Sequence, residues 1–202
     1  MKEVFKSLVY GLSAGRMICR GKSGAAYITY DDGPDPENTD RILKVLASNN
    51  VRATFFMVGE YMEKYPRIVD AVIKAGHAIG YHSFRHKSLK KTGLIELRED
   101  MEQARKLSDR FGYSLKLYRP PFGDLTVAAV ITLLIHGWKI VMWSRDSRDS
   151  FDSHDQVVAN LDPANIADGE IILMHDDTPL AAELLETVIV RLRSDGLRLE
   201  LL

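Results

Sequence analysis

The chain has 202 residues, of which 46% are hydrophobic and 27% are charged, as in an ordinary globular protein with a sizeable core. Its formal net charge of −1 provides no overall attraction to nucleic acid or to an anionic membrane surface, so neither is expected as a partner. The single cysteine, Cys19, excludes an intramolecular disulfide.

The first segment, residues 1–20, has two early lysines and later small residues, as a signal peptide does. Its apolar run at residues 7–15 is short and is interrupted by glycine and serine, so a short amphipathic helix or an ordered arm is predicted instead. No run approaches about 18 consecutive apolar residues, and no transmembrane helix is expected. A cytoplasmic location is expected for the chain as given, and a periplasmic or extracellular one if it is truncated.

Strand-like and helix-like runs alternate through the rest of the chain. The strand-like runs are residues 25–30, 52–58, 77–82, 115–121, 139–143, 170–175 and 197–202. The helix-like runs are residues 36–50, 61–76 in its later part, 93–112, 125–137 and 180–196. This alternation predicts an α/β fold with about seven parallel strands and crossover helices, either open or closed into a barrel. No internal repeat or linker is visible, so residues 1–202 are predicted to form a single domain.

Ionisable side chains stand at the carboxyl ends of five predicted strands, where parallel α/β folds gather their catalytic groups. In chain order they are Asp31 and Asp32, His82 and His86, Arg119, Asp146 and Asp149, and His175.

Each of these groups alone has an ordinary structural explanation. The aspartate pair could form a turn or cap a helix, and the H-x-x-x-H spacing brings two imidazoles to one face only if it is locally helical. His175 could be a half-buried structural histidine, and Arg119 could pair with any nearby carboxylate. Together, one aspartate and two histidines make a three-ligand metal site with room for water, and the second aspartate and the distant histidine can supply a base and an acid.

The remaining histidines are predicted to have no functional role. His77 is expected to open a strand, His136 to cap the end of a helix and His154 to lie in a polar loop.

Five short motifs in a fixed order carry a resemblance to a known family. They are TYDDGP at residues 29–34, HSFRH at 82–86, RPPFG at 119–123, WSRDSRDS at 143–150 and LMH at 173–175. With these motifs the chain, from about residue 25 to about residue 195, resembles the polysaccharide deacetylases of the NodB-homology type, carbohydrate esterase family four.

The resemblance implies a distorted (β/α) barrel and the removal of acetyl groups from N-acetylated sugars of a polysaccharide or oligosaccharide. It implies a divalent metal ion, zinc with cobalt or nickel as alternatives, bound by Asp32, His82 and His86. It implies further roles for six residues: Asp31 is the general base, Arg119 orients it, His175 is the general acid, Asp149 holds that acid, the Phe122 amide binds the oxyanion, and Leu173 lines the pocket for the acetyl methyl group.

Two positions depart from the family pattern. Tyr30 replaces the usual phenylalanine, and Ser150 stands where the fourth motif has tryptophan, so Trp143 or Phe151 is a candidate for that wall of the acetyl pocket. Two other functions stay open: a metal-dependent hydrolase of non-sugar C–N bonds, and a non-catalytic glycan-binding module, which only Ser150 supports. The glycan, the choice between N- and O-acetyl groups and the oligomeric state are not specified by these motifs.

Overall fold

The structure, a computed structural model, describes residues 15–162 and 166–202. Most of the predicted N-terminal arm or helix, residues 1–14, therefore lies outside the described residues. The part that is described contains a short strand, Met17–Ile18, which the sequence patterns did not predict. Within the described residues, no helix is both long enough and apolar enough to cross a membrane.

Strands and helices alternate along the described residues as predicted. The strands are β1 (Met17–Ile18), β2 (Ala25–Asp31), β3 (Thr54–Met57), β4 (Ala78–Tyr81), β5 (Leu117–Tyr118), β6 (Lys139–Val141), β7 (Arg145–Asp146), β8 (Ile171–His175) and β9 (Arg198–Leu199). The helices are α1 (Asn38–Ser48), α2 (Gly59–Lys64), α3 (Pro66–Lys74), α4 (Leu94–Phe111), α5 (Val127–Ile135), α6 (His154–Asn160) and α7 (Pro179–Ser194).

The strands form one parallel sheet in the order β1-β6-β5-β4-β3-β2-β8-β7, with β9 beside β2. The sheet is curled into an incomplete barrel, which confirms the predicted distorted (β/α) barrel. Because every strand runs in the same direction, the carboxyl ends of the strands meet at one rim.

Side chains alternate between the two faces of each strand, and the two sets have different surroundings. The larger core lies between the sheet and the helices that surround it. A smaller cluster consists only of residues from strands and the segments next to them, so it fills the inside of the curl; its buried members are Ala25, Tyr27, Phe56, Val141 and Ile171. Thr29 and Asp31 continue the inward alternation of β2, and Leu173 and His175 continue that of β8. The inside of the curl is therefore apolar along most of its depth and polar at the rim formed by the carboxyl ends of the strands.

The later part of the run at residues 61–76 is helical as predicted, since α3 spans Pro66–Lys74, but the separate helix α2 before it, Gly59–Lys64, was missed. The two helices are separate because Pro66 has no N–H to donate and disfavours helical geometry in the residue before it. One local prediction was wrong. His154 is not in a loop but is the first residue of α6, which a capping box between Ser153 and Gln156 starts. The strand β7 was also missed.

The other two histidines with no expected role lie where they were predicted. His136 is the C-cap of α5. His77 is buried next to β4, and its Nδ1 accepts a hydrogen bond from the Ala53 amide at 3.1 Å. Burial, together with the nearby charge of Arg52, lowers the pKa of His77 to about 4, so this side chain is a neutral part of the core.

Candidate metal centre and active site

The aspartate pair ends β2 in a turn that brings both carboxylates into one cleft. In a continuous strand the two side chains would point to opposite faces. Asp32 instead has a left-handed backbone with a φ of 76°, a conformation that aspartate adopts more readily than most residues. As a result, Asp31 Oδ2 and Asp32 Oδ1 lie 3.7 Å and 3.3 Å from the same atom, Nε2 of His82.

The two histidines of HSFRH converge on Asp32 through a loop, not through a helix. His82 directly follows β4, and Ser83 and His86 have φ angles of 61° and 50°. These turns bring the Nε2 atoms of His82 and His86 to 3.3 Å and 3.1 Å from Asp32 Oδ1. The local helix that would have explained the H-x-x-x-H spacing is therefore absent from this described segment, although the two imidazoles do meet.

Asp32, His82 and His86 form a group that can hold a metal ion, since one donor atom from each lies within 4.8 Å of the others. The Nδ1 of His82 lies 2.8 Å from the carbonyl oxygen of Arg119. A carbonyl only accepts, so this nitrogen carries the hydrogen, and in the neutral imidazole Nε2 presents its lone pair to the carboxylate. Facing lone pairs need a cation between them, either a proton or a metal ion, and the nitrogen and oxygen donors suit a divalent ion such as zinc.

The electrostatics of this group fit a cation as well. Burial alone would raise the pKa of Asp32, but contacts with the two histidines lower it well below its usual value. Burial would likewise lower the pKa of His82, but the carboxylates of Asp31 and Asp32 outweigh burial and raise it. The cleft therefore stabilises positive charge beside Asp32.

Arg119 fixes the other aspartate, Asp31. Its fully buried guanidinium donates from Nη1 to Asp31 Oδ1 at 2.7 Å and to Thr29 Oγ1 at 2.8 Å. It also donates to the carbonyls of Val141 and Met142 and lies 4.0 Å from the centroid of the Phe56 ring. Desolvation lowers the pKa of Arg119 and Asp31 opposes this effect; arginine nevertheless stays charged in proteins. One oxygen of Asp31 is thus held by arginine while the other faces the metal group.

His175 stands opposite Asp31 in the register of β2 and β8. Its Nδ1 lies 2.8 Å from Asp149 Oδ1, and its backbone N–H donates to Asp149 Oδ2 at 2.8 Å. Because the carboxylate accepts the hydrogen on Nδ1, Nε2 is left for the cleft. Burial opposes the charged form, but the hydrogen bond and the charge of Asp149, together with the charges of Asp31 and Asp32, raise the pKa of His175 to about 9.

Only one of the two aspartates in WSRDSRDS reaches this site. Asp146 is exposed and accepts a hydrogen bond from the Arg148 amide at 2.8 Å. Asp149 is buried and holds His175. Ser150 is exposed, and Phe151, at 81% exposure, has its ring mostly in solvent.

The predicted substrate-binding residues lie around the same rim. Phe122 is 65% exposed, has a left-handed backbone with a φ of 59°, and its ring centroid is 4.6 Å from that of His86. Trp143 packs on the same turn, since a Cβ at Gly123 would lie 2.9 Å from its ring. Leu173 is buried two residues before His175 on β8, and so shares its face of the strand.

The sequence reasoning gave no role to Asp176, although it directly follows His175. This carboxylate is buried, accepts a hydrogen bond from Thr39 Oγ1 at 2.6 Å, and has its pKa raised to about 7, mainly by burial. Its backbone N–H donates to the carbonyl of Asp31 at 3.2 Å, and a Cβ at Gly33 would overlap its oxygens. Asp176 thus supports the turn that carries both aspartates and accounts for the glycine after them. The sequence signal that could have indicated this role is the pair of consecutive aspartates, Asp176 and Asp177, directly after a buried strand.

Comparisons with known proteins agree with this geometry. A family model described as polysaccharide deacetylase matches residues 20–140. A peptidoglycan-N-acetylglucosamine deacetylase of Bacillus cereus is 34% identical over 177 residues, covering 85% of this chain and 64% of the relative. A chitooligosaccharide deacetylase of Sinorhizobium fredii is 31% identical over 169 residues, covering 81% of this chain and 78% of the relative.

Among solved structures, a similar one is the Bc1960 peptidoglycan N-acetylglucosamine deacetylase in complex with 4-naphthalen-1-yl-N-oxidanyl-benzamide. Its TM-score is 0.89 at 31% sequence identity, covering 95% of this chain and 92% of that chain. The chain described here spans 64% of the length of the Bacillus cereus relative, so it corresponds to somewhat less than two thirds of that protein.

Proposed function

Because the chain belongs to the polysaccharide deacetylase family, we propose that it is a metal-dependent hydrolase that removes acetyl groups from the N-acetylated sugars of a polysaccharide or oligosaccharide. One observation carries the proposal. Asp31 and His175 are register partners on adjacent strands, and the candidate metal group lies beside them in the same cleft. A general base, a general acid and a site for a metal ion that acts as an electrophile are therefore close enough to act on one amide bond.

Asp32, His82 and His86 are the proposed ligands of a divalent ion, with zinc as the expected metal and cobalt or nickel as alternatives. When bound, such an ion supplies Lewis-acid polarisation of the acetyl carbonyl and makes water more acidic. Three protein ligands leave coordination positions open for substrate and water, as in hydrolytic sites.

Asp31 is the proposed general base. Arg119 holds its Oδ1 at 2.7 Å and so directs Oδ2 towards the cleft. The base accepts a proton from the attacking water while the hydroxyl oxygen bonds to the acetyl carbon.

His175 is the proposed general acid. With Asp149 holding Nδ1–H, the Nε2–H of the charged imidazole donates its proton to the sugar nitrogen as the C–N bond breaks. The products are acetate and the free amine. The raised pKa of His175, at about 9, supports this role because the acid must be protonated at neutral pH.

The rim residues are proposed to hold the acetyl group. The backbone N–H of Phe122 donates to the oxyanion as it forms, and Leu173 and Trp143 supply apolar surface near the acetyl methyl group. Loss of the fourth-motif tryptophan at Ser150 is proposed to affect the affinity for substrate more than the chemical step.

The partner is proposed to be an acetylated glycan, and the names of the relatives, one acting on peptidoglycan and one on chitooligosaccharides, support this class. The test is acetate release from a panel of peptidoglycan, chitin oligomers and small non-sugar amides, with zinc or cobalt and again after chelation. We expect chelator-sensitive release from a glycan. Release from small amides alone would favour the non-sugar C–N hydrolase, and metal-bound protein without release from any substrate would favour the glycan-binding module.

A further inference from the structure

On its carbonyl side, the loop that joins the two proposed histidine ligands is held by backbone hydrogen bonds to α2. The carbonyls of Ser83 and Phe84 accept hydrogen bonds from the amides of Gly59 and Glu60, at 2.9 Å and 3.0 Å. Those amides are the first two of α2 and have no partner within their own helix. The loop therefore caps α2, and α2 fixes the carbonyl side of the loop.

A side chain holds the opposite side of the loop. The amide of Phe84, midway between the two histidines, donates to Asp100 Oδ1 at 2.6 Å. Asp100 lies within α4, and the hydroxyl of Tyr81, the residue before the first histidine, donates to its backbone carbonyl at 3.1 Å. Asp100 thus contacts the chain next to the first histidine and at the centre of the loop.

This contact is not explained by stability alone. Asp100 Oδ2 is buried and has no hydrogen-bond partner in the described part of the chain. Burial raises the pKa of Asp100 to about 6, although the Phe84 amide and the Tyr81 hydroxyl lower it. A buried carboxylate with one oxygen unsatisfied is costly, and such groups occur often at functional sites.

The loop needs an external restraint because its own backbone is strained. Both Ser83 and His86 are non-glycine residues with positive φ, at 61° and 50°. If the Phe84 amide were released, these residues could relax, and the imidazole of His86 would leave Asp32.

We propose that Asp100 is a positioning residue that sets the metal affinity of this site by holding the Phe84 amide, and with it the spacing of His82 and His86. Asp100 itself touches neither ligand. The inference rests on the proposed metal site and adds to it a residue outside the five motifs.

The test compares two variants with different abilities to accept the hydrogen bond. Asp100→Leu has nearly the same size but no acceptor, whereas Asp100→Asn keeps an oxygen for the Phe84 amide. Asp109→Leu is the matched control, since Asp109 lies on the same helix but is exposed and paired with Arg105 on the surface. Each metal-free protein is titrated with zinc against a chromophoric chelator, and its cobalt absorption spectrum and melting temperature are recorded.

We expect Asp100→Leu to bind zinc about 10-fold or more weakly, a loss typical of residues that orient metal ligands, and to change the cobalt spectrum. Asp100→Asn and Asp109→Leu should keep the wild-type affinity and spectrum. If Asp100→Leu does not fold, Asp100→Ser, whose hydroxyl is too short to reach the amide, should show the same loss.

Three results would overturn the inference. Wild-type affinity in Asp100→Leu, with only a lower melting temperature, would show a merely structural role. Equal weakening in Asp100→Leu and Asp100→Asn would show that the hydrogen bond is not the cause. A wild-type chain that binds no zinc would overturn the proposed metal site as well as the role of Asp100. The first two results would overturn only the role of Asp100, so the two kinds of failure are distinguishable.

Discussion

Replacing Asp149 by asparagine tests how the proposed acid is prepared for its role. The pKa of His175 stands at about 9 against an ordinary value of 6.5, which corresponds to about 3 kcal/mol in favour of the imidazolium ion. Asp149 is the principal source of this preference, through its hydrogen bond and its charge. Asparagine is neutral, and its NH₂ group would face a donor on His175 in either orientation, because both carboxylate oxygens accept from that residue.

The expected result is a shift in the alkaline limb of the pH profile. A general acid must be protonated, so activity falls as the pH rises through its pKa. In Asp149→Asn the fall in kcat/KM for acetate release should begin at least about one pH unit lower, since one unit corresponds to only 1.36 kcal/mol of the preference. Asp146→Asn is the control, because Asp146 belongs to the same segment but is exposed and does not contact His175. An alkaline limb at the same pH in both variants would refute the assignment of His175 and Asp149.

The same shift has a consequence for stability. A histidine whose pKa is raised on folding stabilises the protein fully below pH 6.5, and this contribution is lost as the pH rises through about 9. The free energy of unfolding should therefore fall by up to about 3 kcal/mol more over this range in Asp146→Asn than in Asp149→Asn. Denaturant titrations at pH 6 and pH 9.5 would measure the difference, and parallel losses in the two variants would contradict it.

Three further perturbations separate the other roles. Asp31→Asn should reduce the rate of acetate release at least about 100-fold while zinc stays bound, because general-base catalysis is typically that large; full activity would exclude Asp31 as the base. His82→Ala should lose zinc in elemental analysis of the purified protein, and full occupancy would exclude it as a ligand. Arg119→Met should lower the free energy of unfolding by about 3–5 kcal/mol in denaturant titrations, because it leaves the buried carboxylate of Asp31 without its partner; a loss below 1 kcal/mol would show that the pair is not buried in solution.

The alternation of strand-like and helix-like runs was enough to predict a parallel sheet with crossover helices, and polar residues at the strand ends were enough to indicate the candidate site; the closure into a distorted barrel came only from the family resemblance. The alternation and the polar strand ends are local signals, since they depend on the period of the side chains and on where an apolar run stops. The strands β1 and β7 were missed because each has two residues that lie outside any strand-like run of the sequence and is recognised only by its pairing with another strand. The strands β5 and β9 are equally short but lie within longer strand-like runs, so they were predicted.

The local geometry of the site could not be predicted for a different reason. The histidines converge through left-handed backbone at Ser83 and His86, which residue types other than glycine seldom signal. The supports provided by Asp100 and Asp176 depend on contacts with Phe84 and Thr39, which lie 16 and 137 residues away in the chain. A carboxylate on an amphipathic helix looks like any solvated acid until the fold places a buried amide beside it.

The most direct test of the account measures acetate and new amino groups together, during incubation of the zinc-loaded chain and its Asp31→Asn variant with N-acetylglucosamine oligomers and with peptidoglycan. The account predicts equal amounts of acetate and amine from the wild type on at least one glycan, none after chelation, and at least about 100-fold less from the variant. Equal release by the two proteins, or wild-type release that persists without metal, would contradict it.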